Sequence, residues 1–264
     1  MRRGLGWIPD RPRGADETPD VRYAATRTAP PPPAHSLDAL VLDVLDQGQL
    51  SSCQAHAGMQ AIRMRHFAQG IASPPLGSRL FAYYAARAGD AYSAIGVDVG
   101  ASIRSLFEGI GKLGFCPETV WPYSDHDVGD PSAPFRTMPS TAAFRAAHDQ
   151  LGTTGYRRIA STGNGRIVEI KQALVEGFPV VFGCGVSSDF CDAIVDGTTP
   201  LPPPSKVTGQ HAMTLIGYAG DVFTVLNSWG EGWGSGGRCL FSPEYVAVIG
   251  DAWIVEHTPP PEMA

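Results

Sequence analysis

The sequence predicts an α+β fold in two lobes, mainly helical over residues 34–134 and β-rich over residues 135–258. Three observations point to it. A chain of 264 residues, 43% of them hydrophobic, is long for one compact core and short for two large ones, so a single globular unit with two lobes is the natural arrangement. As far as Pro134 the patterns have the length and punctuation of helices. Beyond it, short runs rich in β-branched and aromatic residues take over, separated by Gly and Pro.

Residues 1–33 are rich in Arg, Asp, Thr and Pro and end in Pro30-Pro31-Pro32-Pro33, which favours an extended polyproline conformation. They form an N-terminal extension with two open readings: a disordered tail, or a strap on the folded body that buries Leu5, Trp7, Ile8 and Tyr23. Residues 53–69 carry Ala57, Ile62, Met64 and Phe67 with Gly58 as the only break. Ser51 and Ser52 stand immediately ahead as hydroxyl N-caps, which predicts a buried helix with Cys53 in its first turn. Two further helices are expected at 77–88 and 101–113, the second closed by Gly114. A helix at 167–176 then precedes strands at Pro179–Gly183, Ala212–Tyr218, Val222–Leu226 and Arg238–Phe241. Residues 197–204, with three consecutive prolines, read as a loop, and 259–264 as a tail.

Charge and cysteine usage exclude several functions. With 17% charged residues and a formal net charge of −6, the chain has no basic surface able to neutralise a phosphate backbone, so nucleic acid is not an expected partner. No apolar run approaches the roughly 20 residues of a membrane helix. The start, Met1 to Asp10, is broken by Gly, Pro and Asp and does not read as a secretory signal, so a cytoplasmic location or non-classical export is expected. Five cysteines form an odd set with one spare thiol, and the others are expected to be mostly reduced. The spacing of Cys184 and Cys191 does not match a zinc site, so no metal and no cofactor are expected, and the pair reads as a loop disulfide or two free thiols.

Three separated motifs carry chemistry. The first, Asp46-Gln47-Gly48-Gln49-Leu50-Ser51-Ser52-Cys53, sets an amide side chain shortly before a thiol at a helix start, where the partial positive charge of unpaired N–H groups favours thiolate. The second is Gly209-Gln210-His211-Ala212-Met213, entering an apolar strand. The third is Val225-Leu226-Asn227-Ser228-Trp229-Gly230, continuing to Trp233-Gly234. A histidine can take the thiol proton and return it to a leaving amine, and a neutral amide can fix the imidazole tautomer, so Cys53, His211 and Asn227 together suit acyl transfer. His56, one turn after Cys53, is expected to pack or face solvent, and Trp121-Pro122-Tyr123 to be core.

These motifs resemble the papain and cathepsin family of cysteine peptidases, and more closely its bacterial members, over roughly residues 34–255. The resemblance implies a papain-like fold in which a helical lobe faces a β-barrel-like lobe across the active-site cleft. It implies that Gln47 and the Cys53 N–H hold the oxyanion, and that Trp229 covers the histidine–asparagine hydrogen bond. Val97-Asp98-Val99-Gly100-Ala101-Ser102 is similar to the family's glycine-bearing stretch along the cleft, where Gly100 and Ala101 would meet substrate, with Gln210 and Ala212 beside the histidine. A monomeric endopeptidase acting on polypeptide is implied, with the extension occupying or flanking the cleft as a zymogen segment would.

Departures from the pattern are plain. The family's Cys-Gly-Ser/Ala-Cys-Trp/Tyr signature is here Leu50-Ser51-Ser52-Cys53-Gln54, so neither the earlier cysteine nor the following aromatic is present. His211 and Asn227 also lie beyond the roughly 130–150 residues typical after the nucleophile, an excess for which the proline-rich segment at 197–208 can account. Two other functions fit the same residues: a thiol amidase or acyltransferase, and a non-enzymatic binding module whose cleft the extension blocks.

Overall fold

The computed structural model describes residues 3–89, 95–125, 128–150, 152–192 and 198–258. Its helices are α1 (Cys53–Ala68), α2 (Arg79–Ala88), α3 (Ile103–Leu113), α4 (Thr141–Asp149), α5 (Gly163–Val175), α6 (Ser188–Asp192) and α7 (Pro243–Val248). Serine hydroxyls set four of the starts: Ser78, Ser102, Ser140 and Ser242 each accept from the backbone N–H three residues on, opening α2, α3, α4 and α7. Gly114, at φ 72°, closes α3 as its sequence position predicts. Ile103, Leu106, Phe107 and Ile110 repeat at helical spacing on the buried face of α3, whereas α1 is buried almost all round from Cys53 to Ile62. No described helix is long and apolar enough to cross a membrane.

One expectation fails at α1. Ser52 stands at its N-cap but makes no side-chain cap; its hydroxyl meets the Tyr123 hydroxyl at 2.8 Å and His56 Nδ1 at 3.3 Å. Ser51 points elsewhere too, donating to Asp98. The N–H groups of the first turn therefore stay clear of a capping side chain, and those of Cys53 and Gln54 face the thiol.

The strands are β1 (Ala34–Ser36), β2 (Thr153–Arg158), β3 (Val180–Val186), β4 (Pro200–Leu201), β5 (Gly209–Ala219), β6 (Val222–Leu226), β7 (Arg238–Phe241) and β8 (Ala252–Thr258). They form one open sheet in the order β2-β8-β3-β5-β6-β7-β4, with β1 paired to β5. All pairings are antiparallel except β4 with β7. A register shift between Leu215 and Gly217 lets β5 bend, so one strand serves β3, β6 and β1.

Against expectation, β5 starts at Gly209, which puts His211 inside the strand, and the proline-rich loop carries the two-residue strand β4 because Leu201 reaches the β7 edge. The expected tail at 259–264 and residue 197 lie outside the described residues. The core divides in two. One cluster, with Phe182, Leu215, Phe223 and Trp229, fills the sheet side; the other, with Leu50, Cys53, Ile62, Phe81 and Phe107, fills the helical side. Helix α1 lies along β5 where they meet.

Residues 3–33 run over this body. Trp7 and Tyr23 are buried, and Leu5 and Ile8 half-buried. Asp20 meets Arg13 at 3.1 Å, Arg104 at 2.5 Å and Arg158 at 3.1 Å. The Tyr23 hydroxyl donates to Glu176 at 2.9 Å, and Glu176 also accepts from the backbone N–H groups of Thr26 and Arg27.

Candidate active site

Cys53 is the first residue of α1, and His211 sits in β5, which packs against that helix. The strand reaches the thiol through the next residue: the Ala212 N–H donates to Cys53 Sγ at 3.3 Å, so the sulfur lies at the peptide that links His211 to Ala212. His211 Nε2 is 2.8 Å from Asn227 Oδ1, which also accepts the Ser228 N–H at 2.8 Å. An oxygen that takes two contacts of this kind accepts from both, so Nε2 carries the imidazole proton and Nδ1 is left as the base. Nδ1 is buried and has no hydrogen-bond partner among the described residues. Trp229 lies face to face with His211, ring centroids 4.5 Å apart at 21°, and closes that hydrogen bond off from solvent.

Gln47 reaches the same place from the chain before α1. Its Nε2 donates to the Leu50 carbonyl at 2.9 Å, and its Oε1 accepts from the Ser228 hydroxyl at 2.6 Å. An amide nitrogen has two protons, so one remains for a ligand. Tyr123 fixes this loop by donating to the Gln47 carbonyl at 2.9 Å. Here Tyr123 departs from its expected role as core: it is half-buried and supports the site, as does Ser228. His56 is fully buried, with Nδ1 3.0 Å from the Ser52 carbonyl and its ring edge-on to Tyr123, a packing role.

The model of the papain family of cysteine proteases matches residues 34–245. The chain belongs to this family. It is 34% identical to an uncharacterised peptidase C1-like protein of Acanthamoeba polyphaga mimivirus, over 83% of this chain and 71% of that one. Among solved structures it is similar to xylellain, a cysteine protease from Xylella fastidiosa, at 30% identity, with 98% of both chains covered and a TM-score of 0.83. Bromelain from Ananas comosus, solved with the E64 inhibitor, shares the fold at 19% identity and a TM-score of 0.60, covering 86% of this chain and all of that one. The protein is thus a cysteine peptidase on a papain-like α+β fold, and its substrates are polypeptides.

In this peptidase residues 4–8 are bonded to the chain ahead of Cys53, to the strand at His211 and to Ala101. The Gly4 N–H donates to the Gly48 carbonyl at 2.8 Å and the Gly6 N–H to the Gln210 carbonyl at 3.0 Å. On the other wall, the Ala101 N–H donates to the Gly6 carbonyl and the Ile8 N–H to the Ala101 carbonyl, both at 3.1 Å, giving a parallel bridge between Trp7 and Ala101. Of the residues expected to touch substrate, Gly100, Ala101 and Gln210 contact residues 6–8, Ala212 bonds the sulfur, and Trp229 Nε1 donates to the Gly4 carbonyl at 3.2 Å. Gly100 has φ 82°, and a Cβ there would strike the Gly6 backbone. Gly4 and Gly6 press equally close to Leu50 and Ser51. The glycine pattern Gly4-Leu5-Gly6 ahead of Trp7 was the available signal for this threading.

Burial sets the electrostatics of Cys53 and His211. Burial pushes the Cys53 thiol up to about 12, against the opposing pull of N–H groups from Ala212, Gln54, Cys53 and Trp7. Burial pushes His211 down to about 4, against the Asn227 hydrogen bond. Both shifts favour a neutral thiol and a neutral imidazole. No disulfide joins the described cysteines.

Proposed function

We propose that the chain is an endopeptidase that works through Cys53, His211 and Asn227, with Gln47 at the oxyanion, and that residues 3–10 hold it closed. The observation that carries this reading is the 3.3 Å bond from Ala212 N–H to Cys53 Sγ, which sets the sulfur beside a histidine whose far nitrogen is held by Asn227. His211 Nδ1 takes the thiol proton, and the sulfur attacks the peptide carbonyl carbon. The oxyanion that forms is held by the second Gln47 Nε2 proton and the Cys53 N–H. His211 gives its proton to the departing amine as the C–N bond breaks, leaving a thioester. Water, losing a proton to His211, attacks the thioester and releases the acid and the free thiol.

The same contacts explain the closed state. With the strap in place no carbonyl can reach Cys53, and burial keeps the thiol protonated. Opening the groove restores water, and the exposed first-turn N–H groups of α1 then favour thiolate.

The test uses casein and an E-64-type epoxide, the inhibitor class that bromelain binds, on the full chain and on a full chain carrying Gly6→Val. Epoxide adding one equivalent at Cys53 and abolishing casein turnover in the Gly6→Val protein is the expected result. A protein that labels but forms amine adducts in preference to acids is an acyltransferase. One that neither labels nor turns over, whatever the strap, is a binding module.

A further inference from the structure

Two side-chain amides face one small void behind the candidate active site. The cavity holds about 10 Å³, room for the centre of one water and nothing larger. It lies between α1 and the strands β5 and β6, where Leu45, His56, Gln60, Met213, Thr214 and Asn227 line it, all of them buried. Gln60 is 4% exposed and Asn227 3%.

Each amide is pinned at one end. Gln60 Nε2 donates to the Asp43 carbonyl at 3.1 Å, which fixes Oε1 as its other end. Asn227 Oδ1 accepts from His211 Nε2 and from the Ser228 N–H, both at 2.8 Å, which fixes Nδ2 as its other end. The two remaining ends are complementary, one an acceptor and one a donor, and neither has a hydrogen-bond partner among the described residues. Thr214 adds a third group: its hydroxyl gives its proton to the Ala57 carbonyl at 3.4 Å, so its lone pairs can accept. Buried polar groups of native proteins seldom go without a partner, and one buried water commonly satisfies about three of them.

We propose that this cavity binds one water, which accepts from Asn227 Nδ2 and donates to Gln60 Oε1 and Thr214 Oγ1, and that Gln60 is thereby a positioning residue for His211. The proposal rests on the peptidase reading above. An Asn227 amide turned over would offer Nδ2 to His211 Nε2 and to the Ser228 N–H, donor against donor. His211 could then meet Asn227 only by moving its proton to Nδ1, the nitrogen that has to take the thiol proton. A water held by Gln60 anchors Nδ2 on the far side and keeps Nδ1 the base.

Two measurements on the full chain need no turnover. A high-resolution crystal structure should show one ordered water within hydrogen-bond distance of both Gln60 Oε1 and Asn227 Nδ2, and a dry cavity overturns the proposal. Nitrogen NMR shifts report which imidazole nitrogen carries the proton, and His211, assigned by its loss in His211→Gln, should be protonated at Nε2 alone in the parent. In Gln60→Met, which keeps the length of the side chain without the acceptor, a share protonated at Nδ1 should appear. Identical His211 signals in the two proteins overturn the proposal.

The kinetic arm uses the Gly6→Val background, with active sites counted by the E-64-type epoxide so that misfolded protein does not enter. Gln60→Met should lower kcat about tenfold, one hydrogen bond's worth, with KM within about twofold of the parent. Gln60→Glu should recover most of that loss, since a buried carboxyl keeps its proton, donates to the Asp43 carbonyl and still offers an oxygen to the water. Gln60→Met with the parent kcat, or Gln60→Glu as slow as Gln60→Met, overturns the proposal and leaves the peptidase reading standing. A Gly6→Val protein that turns nothing over sinks the peptidase reading instead, and the water and the His211 signals then decide the proposal alone.

Discussion

The amide of Gly6 donates to the carbonyl of Gln210 across 3.0 Å, one residue before His211. Gly6 is at φ 133°, and a Cβ there would meet the Ser51 backbone. Valine at this position cannot keep the strap seated. Gly6→Val should raise the rate of epoxide labelling at Cys53 by roughly tenfold or more, the equivalent of losing one to two hydrogen bonds' worth of closure. Intact-mass spectrometry over time reads it.

Opening the groove should also change the pH dependence of that labelling. In the closed chain the Cys53 thiol stands at about 12 and His211 at about 4, burial being the first cause of both. Thiolate is then scarce at neutrality and grows about tenfold per pH unit, and the labelling rate of the parent should climb in that way from pH 6 to 9. With burial relieved the thiol falls and the imidazole rises, so the Gly6→Val rate should level off near neutrality. Two identical profiles would count against the strap as the cause.

Gln47→Ala should lower kcat by roughly 10²–10³-fold with a much smaller effect on KM, the cost of one oxyanion donor. Ser228→Ala leaves Gln47 Oε1 without its 2.6 Å donor and loosens the amide without removing it. A loss of about tenfold in kcat is expected there, consistent with one hydrogen bond. Steady-state kinetics in the Gly6→Val background separates the two.

His66 Nε2 and His257 Nδ1 are 2.7 Å apart in the core, one donating to the other, and both are pushed down to about 4, first by burial. Because the folded values lie below the ordinary 6.5, the contribution is whole above pH 6.5 and is lost as pH falls towards 4, where the unfolded chain takes up protons that the folded one refuses. One such histidine accounts for up to about 3 kcal/mol. His66→Gln should melt lower at pH 7 yet show a flatter fall between pH 7 and 4, measured by denaturant titration at each pH.

The residues of the candidate site stand out in the sequence because each sits in a short local motif with an evident chemical task. Cys53 at a helix start, His211 at a strand and Asn227 before Ser228-Trp229-Gly230 need only the backbone to bring them together. Strands β6 and β7 were equally plain, their apolar runs being bounded by turn residues. What escaped was set by long-range packing. Strand β2, Thr153–Arg158, has no alternation of its own and is a strand because β8 pairs with it along its length. Helix α4 had a signal, Ser140 ahead of Thr141–Asp149, but its buried face is only Ala143 and Ala147. The path of residues 3–10 depends on a groove that exists only after both lobes have folded. Tyr123 and Ser228 act through hydrogen bonds to distant parts of the chain, which no periodicity betrays.

Strand β1 gives the extension a second fastening on β5: Ala34–Ser36 pairs with Gly217–Ala219, while Gly6 is bonded to Gln210 near the other end of the same strand. The occupant of the groove is therefore a tethered ligand, present at an effective concentration on the order of millimolar however dilute the protein. Residues 26–30 of the tether are exposed. One cut there would put residues 3–25 on a peptide separate from the body, and reclosure would then depend on how much of it remained nearby. Dilution alone would make the change permanent, turning a reversible latch into a one-time event.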